Sequence, residues 1–257
     1  MKKCLTLLCL LTVTLNCFAD SVYSYDLTKD VIIGSVSLGL TAASFFVNSS
    51  SNSASKDAAP EKGNVNAFDR GLMFKFNAPL DLTSTIVTCG IAVLPVLSLT
   101  GNIKNFNAWA TYGIMYAESA LLVYGTSEML KSTVMRYRPY FYFGDIPSGQ
   151  GSDYYKSFPS RHEAFAFMSA GFLTTTFFNE YPDSRWKIPL CAVSYTLAAG
   201  VGAARIFSGN HFLSDVLAGA AIGSVYGYLI PWLHLRKDSD RITLSPLPGG
   251  LAVALKF

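Results

Sequence analysis

Six apolar runs, each close to the length a helix needs to cross a hydrocarbon core, dominate this chain of 257 residues. They are Val31 to Asn48, Thr83 to Thr100, Asn107 to Leu130, Glu163 to Phe178, Ile188 to Ala204 and Phe212 to Leu235. A core ~30 Å thick takes about 20 helical residues. Inside it only helices and closed barrels satisfy the backbone. The runs therefore predict an all-α fold, an integral-membrane bundle of about six helices. Composition agrees: hydrophobic residues make up 51% and charged residues 14%, against a usual ~25% charged, and the mean hydropathy is +0.32. This excludes a disordered chain, a basic nucleic-acid-binding domain and an ordinary soluble enzyme with a charged surface. A net charge of +3 is too small to imply a polyanionic partner.

The ends differ from the middle. Met1-Lys2-Lys3 is a basic start, Leu5 to Leu15 an apolar core, and Cys17-Phe18-Ala19 offers small residues before a cleavage point. This is the anatomy of a secretory signal peptide cut after Ala19, with an uncleaved anchor as the alternative. In the tail, Leu251, Val253, Leu255 and Phe257 alternate with Ala252, Ala254 and Lys256, which is strand periodicity. The expected organisation is a signal peptide at 1–19, an apolar segment and polar loop at 20–65, a helical core at 66–235 and a tail at 236–257. Five cysteines show neither metal-ligand spacing nor a disulfide framework.

Three polar clusters punctuate the apolar runs, and charges near a bilayer are costly enough to be functional candidates. The first is Lys131 to Pro139, where Lys131 and Arg138 sit two helical turns apart. The second is Pro159-Ser160-Arg161-His162-Glu163, at the start of the fourth run. Ser160 and Glu163 fit a capping box, and a helix N-terminus there would present free N–H groups to an anion. The third runs from Arg205 to Asp215, with His211 and Asp215 at the i, i+4 spacing that lets a carboxylate reach an imidazole. If consecutive helices alternate in direction, all three clusters meet on one membrane face. Two of the chain's three histidines are then in that set. The third, His234 beside Arg236 and Lys237, reads as a residue of the membrane interface.

Lys131-x6-Arg138-Pro139, Pro159-Ser160-x-His162 and Arg205-x5-His211-x3-Asp215 together resemble the three-part motif of the type 2 phosphatidic acid phosphatase family. That family takes in membrane lipid phosphatases, soluble acid phosphatases and vanadium haloperoxidases. The resemblance runs from about residue 66 to residue 235. It departs from the family at Arg161, where glycine is usual, and at Ala204, where serine is usual. Neither change touches a histidine, so activity is expected to survive both. The resemblance implies that His211 attacks phosphorus to give a phosphohistidine, with Asp215 orienting it and His162 protonating the leaving alkoxide. It implies that Lys131, Arg138 and Arg205, with the Ser160 hydroxyl and the Arg161 N–H, hold the non-bridging oxygens. The implied substrate is a lipid or prenyl phosphate, and the implied chemistry needs no cofactor or metal. Phosphoryl transfer spreads charge over three equatorial oxygens and is catalysed mostly by positioning and electrostatics, a task three cations can share. A soluble-type periplasmic acid phosphatase, a lipid phosphotransferase and a vanadium haloperoxidase use the same residues and are the alternatives.

Lys104, Arg185, Lys187, Arg236 and Lys237, with Trp109, Trp186 and Trp232, fall on the face opposite the clusters. Positive charge marks the cytoplasmic side, so the clusters are expected to face the periplasm from the inner membrane. A cleaved signal peptide followed by a full crossing at Val31 to Asn48 would invert that. Either this segment does not cross fully, or the N-terminus is not exported. Tyr137, Tyr140, Tyr142, Tyr154 and Tyr155, in the loop between the first two clusters, could meet a headgroup or form an interfacial belt.

Overall fold

The computed structural model describes residues 21–50, 61–100, 106–148, 153–236, 242–247 and 250–255. The expected signal peptide lies outside them. Each of the six apolar runs is a helix, five of them longer by a few residues than the run itself and the last shorter by one residue at each end. In chain order they are α1 (Leu27–Ser50), α3 (Ala78–Leu99), α4 (Phe106–Val134), α5 (Arg161–Glu180), α6 (Lys187–Phe207) and α7 (Leu213–His234). A single turn, α2 (Ala67–Arg70), precedes α3. Local chemistry sets the starts. Asn66 caps α2 by accepting from the Asp69 N–H, and Asn77 caps α3 by accepting from the Leu80 N–H, with proline in the first turn.

The bundle is polar inside and apolar outside. Phe46 is 76% exposed, Ile188 70% and Trp232 65%, while Glu118, Lys131, Arg138, Arg205 and Asp215 are buried. Water does not favour that arrangement, and lipid does. Among the described residues, four helical stretches are long and apolar enough to cross a membrane: Leu27–Val47, Ala78–Leu99, Lys187–Phe207 and Leu213–His234. The chain is a membrane protein. α5 is the central helix, packed against α3, α4, α6 and α7, while α1 lies along α4. The central position explains why α5 carries more polar residues than the outer helices. Its contact with α7 is backbone-close. A Cβ at Gly223 would stand 2.1 Å from the Ala164 carbonyl oxygen, and one at Gly227 2.4 Å from that of Met168. These glycines let the helices approach as small residues do at membrane interfaces.

Helix ends show that direction alternates. At one end the Asn77 N–H meets the Ser208 carbonyl and the Ser160 N–H meets the Asp215 carbonyl. That end gathers the starts of α3, α5 and α7 and the ends of α4 and α6. At the other end Tyr112 of α4 and Ser21 both donate to Glu180 at the end of α5. The segment before α1 is tied there as well, since the Ser24 N–H donates to the His234 carbonyl at 2.9 Å and the Arg236 N–H to that of Val22 at 3.0 Å.

One open point narrows and one expectation is corrected. The helix over Val31 to Asn48, α1, has 24 residues, or about 36 Å, and its Leu27–Val47 stretch is long and apolar enough to cross a membrane, which favours the alternative of an N-terminus that is not exported. His234 is not an interface residue: it is 1% exposed, and its Nε2 lies 2.7 Å from Asp30 Oδ1. The chain's tendency to fold residues 21–30 back over the end of α7 left no mark in the local sequence around His234. The alternating tail forms β2 (Gly250–Leu255), antiparallel to β1 (Ile242–Leu247) in a register that pairs Val253 with Leu244.

Candidate active site

The three clusters meet. A cavity of about 250 Å³ is lined by Lys131, Arg138, Arg161, His162, Arg205 and His211, together with Asp81, Thr85, Glu128, Asp153, Lys156 and Asn210. Lys131 reaches it from the last turn of α4, and Arg161 and His162 from the first turn of α5. Arg205 comes from the last turn of α6 and His211 from the bend before α7. Gly209 makes that bend possible. It has φ +72°, and a Cβ there would also stand 2.5 Å from the Phe74 carbonyl oxygen, so no other residue fits.

His211 is 1% exposed. Its Nε2 lies 3.4 Å from Arg138 Nη1. A guanidinium can only donate, so this nitrogen carries the lone pair and the proton sits on Nδ1. Nδ1 points to Asp215, with 3.7 Å between it and Oδ2. That exceeds a hydrogen bond, and among the described residues Nδ1 has no partner. The pair expected from the i, i+4 spacing is therefore present as an alignment of charge and dipole, not as a bond. Burial, then Arg138, Arg205 and Lys131, hold the His211 imidazole well below its usual pKa and keep it neutral. His162 is placed by Thr85, 3.2 Å from Nε2. The Thr85 hydroxyl spends its own proton on the Asp81 carbonyl, so His162 Nε2 donates.

The cations are held by partners that spacing alone did not reveal. Arg138 pairs with Asp153 at 2.6 Å, Arg205 with Asp81 and Arg161 with Glu128. Lys131 Nζ donates to the Lys156 carbonyl at 2.6 Å. Five cations and three carboxylates line the cavity, which leaves an excess of two positive charges when both histidines are neutral.

Asp215 stands behind His211, outside the cavity lining. It accepts from the Ser157 hydroxyl at 2.5 Å, the Phe212 N–H at 2.9 Å and Arg136 Nη1 at 2.7 Å. Arg136 is the residue that sequence reasoning missed. Its other nitrogen holds Asp69 at 2.7 Å, and its guanidinium lies 3.9 Å from the centre of the Phe212 ring. It sits in the first cluster beside Arg138, and only its tertiary partners separate their roles. Burial raises the Asp69 pKa, but hydrogen bonds from Arg136, Ser214 and Asn66 outweigh it, so the carboxyl lies below its usual value.

One local expectation fails, and one of two open alternatives is set aside. The Ser160 side chain makes no capping bond. Its hydroxyl is buried without a partner among the described residues, and Ser160 is not part of the cavity lining. The tyrosine-rich loop is not an interfacial belt. Tyr140, Tyr154 and Tyr155 are buried with Phe141, and Tyr137, Phe141 and Tyr154 stack with neighbouring centroids 4.7 and 5.1 Å apart. The loop is a small core of its own, and it fixes Arg138, whose N–H donates to the Tyr154 carbonyl at 2.7 Å.

Residues 112–239, which carry all three clusters, match the PAP2 superfamily, and the chain belongs to it. A stretch of 93 residues is 39% identical to a lipid A 1-phosphatase of Porphyromonas gingivalis, covering 35% of this chain and 19% of that protein. Another of 83 residues is 29% identical to a probable diacylglycerol pyrophosphate phosphatase 1 of Schizosaccharomyces pombe, covering 30% of each. The chain thus spans less than a third of the length of either relative. Among solved structures, it is similar to a transmembrane PAP2-type phosphatidylglycerolphosphate phosphatase from Bacillus subtilis, with TM-score 0.44 and 20% identity over 77% of this chain and 94% of that one.

Proposed function

We propose that this chain is a membrane phosphatase that hydrolyses a phosphomonoester or diphosphate of a lipid or prenyl substrate through a phosphohistidine, without a metal at the reacting centre. The observation that carries the reading is the lining of one cavity by His211, His162, Lys131, Arg138 and Arg205. Its excess of two positive charges suits a phosphate monoester, which carries about −1.5 to −2 at neutral pH. The relatives named above support the substrate class, since both are phosphatases of phosphorylated lipids by name.

His211 Nε2 attacks phosphorus. The P–N bond forms as the P–O bond to the alkoxide breaks, and His162, which takes up a proton as the phosphate dianion binds, gives that oxygen its proton and is left as neutral imidazole. The Nδ1–H develops positive charge as the bond forms, and Asp215 faces it. Arg138, Arg205 and Lys131 take the non-bridging oxygens. Asp153, whose side chain is 47% exposed, and Asp81, at 31%, release their arginines to the incoming phosphate. Arg161 offers its N–H at the start of α5 and its side chain at the cavity mouth. Water then attacks the phosphohistidine, with His162 accepting its proton, and phosphate leaves.

Purified protein would be assayed for phosphate release from phosphatidate, phosphatidylglycerophosphate, prenyl diphosphate and lipid A. Substrate labelled in its phosphate should leave label on wild-type protein that is lost in acid and kept in base, as a phosphoramidate behaves. His211→Ala should show neither label nor turnover. Near-wild-type activity in that variant would overturn the assignment.

The site is proposed to face the periplasm from the inner membrane of a bacterial cell. Arg185, Lys187 and Arg236 at the opposite end support this. The orientation puts residues 21–26 on the cytoplasmic side, so the N-terminus is the part that is not exported. A cysteine at position 152 should react with an impermeant reagent in intact cells, and protection there would refute it.

A further inference from the structure

The second concentration of buried charge lies at the far end of the bundle from the active site. Asp30 from the first turn of α1, Glu118 from α4 and His234 from the last turn of α7 present one ligand atom each, all within 4.8 Å of one another. Three helices that are far apart in sequence meet there. The 22 residues of α7, roughly 30 Å of helix, separate the group from His211, so it takes no part in the phosphoryl chemistry.

Its charge does not close. His234 is the ion-pair partner of both carboxylates, at 2.7 Å from Asp30 and 3.7 Å from Glu118. The nearby ammonium of Lys29 is directed elsewhere, to Asp26 at 3.1 Å and to the Leu233 carbonyl. Among the described residues, nothing donates to Asp30 Oδ2 or to either oxygen of Glu118. Glu118 is 5% exposed. A buried carboxylate without a donor costs several kcal/mol. His234 is set up as a ligand as well. Its Nδ1 lies 2.9 Å from the Ile230 carbonyl, which only accepts, so Nδ1 carries a proton. Nε2 then faces the carboxylates, the way a second hydrogen bond commonly orients a metal-binding imidazole.

We propose that Asp30, Glu118 and His234 bind one divalent transition-metal ion of the zinc or manganese class, which clasps α1 to α4 and α7. One imidazole nitrogen with two carboxylate oxygens is a donor set suited to those ions more than to calcium or magnesium, which take oxygen ligands. A divalent ion with a neutral His234 brings the site to zero net charge and gives Glu118 the partner it lacks. The clasp also fixes the segment before α1, which hydrogen-bonds to the end of α7.

The test uses full-length protein in detergent, stripped with a chelator, dialysed and reloaded with Zn²⁺, Mn²⁺ or Co²⁺. Metal content by mass spectrometry should reach one ion per chain. The cobalt form should show visible d–d bands. Metal at a hundred times its Kd should raise the folded-to-unfolded ratio about a hundredfold, read as a higher melting temperature. The isosteric double variant Asp30→Asn with Glu118→Gln should lose the ion, the bands and the melting shift, and His211→Ala should keep all three. An unreactive wild type, with no ion bound after reloading, would overturn the proposal whatever the variants do. So would equal binding by the double variant, or loss of binding in His211→Ala, which would move the ion to the active site.

Discussion

If His211 attacks phosphorus as proposed, Arg136→Ala should separate that residue from the scaffold that aims it. Arg136 spans Asp69 and Asp215 at 2.7 Å each, and both carboxylate side chains are fully buried. Removing one partner of a buried pair typically costs about 3–5 kcal/mol, because the remaining charge is left uncompensated. Here two carboxylates lose their cation, but neither is stripped bare. Asp215 keeps Ser157 and the Phe212 N–H, and Asp69 keeps Ser214 and Asn66. The expected loss is therefore about 3–5 kcal/mol for the site as a whole, not for each acid. The catalytic effect is indirect, since Arg136 does not line the cavity. A freed Asp215 shifts relative to His211 Nδ1, and groups that orient a reacting side chain typically cost 10–100-fold when lost. The loss should fall on kcat, with KM nearly unchanged. Arg136→Ala with Asp69→Asn removes one orphaned charge, so it should recover part of the stability and none of the kcat. Thermal melts and steady-state kinetics on the three proteins check this. Turnover within twofold of wild type in folded Arg136→Ala would refute the link from Arg136 through Asp215 to His211.

Arg161→Gly, which installs the family's usual residue, removes a partly exposed pair with Glu128, so stability should change by less than about 1 kcal/mol. Turnover should persist, with any change in KM, measured by substrate titration. Gly223→Ala drives a methyl into the α5 backbone and should cost about 1–3 kcal/mol or more by overpacking, read from the melting temperature in detergent. His211 is kept neutral in the folded state. Below pH 6.5 the unfolded chain therefore binds a proton there that the folded one does not, and stability falls as pH drops. The wild-type melting temperature should fall more steeply between pH 7 and pH 5 than that of His211→Gln. The difference is at most about 1.4 kcal/mol per pH unit for one proton, and parallel curves would contradict a neutral His211.

The helices were legible because lipid demands long apolar runs, and each run became a helix whose ends differ from the run by a few residues. The meeting of the clusters was legible too, because alternating direction puts every second helix end on the same side. What could not be read is how residues of like type divide their work. Arg136 and Arg138 are two apart and chemically identical. One turns to Asp215 and Asp69 behind His211 and the other to the cavity, because the chain has left α4 just before them: the helix ends at Val134, Met135 has φ 44° and Arg138 is extended. Periodicity carries no trace of that break. Ser160 failed in the opposite sense. The sequence offered a familiar cap, but the close approach of Gly219 to the Ser160 carbonyl fixes the start of α5 through backbone contacts instead.

His234 shows the same limit at the other end of the molecule. Beside Arg236 and Lys237 it looks like one more cation at a membrane edge, and only contacts across more than 200 residues, from Asp30, make it a buried one. The two buried histidine sites share a construction. In each, an imidazole near an end of α7 faces a carboxylate four or more residues away, and a backbone or arginine contact fixes which nitrogen points inward. They differ in the charge around them. His211 stands among cations and suits an anion, while His234 stands between two carboxylates and suits a cation. Exchanging the sign at either place, with Arg138→Glu or Glu118→Lys, should therefore abolish turnover in the first case and leave turnover in the folded fraction intact in the second.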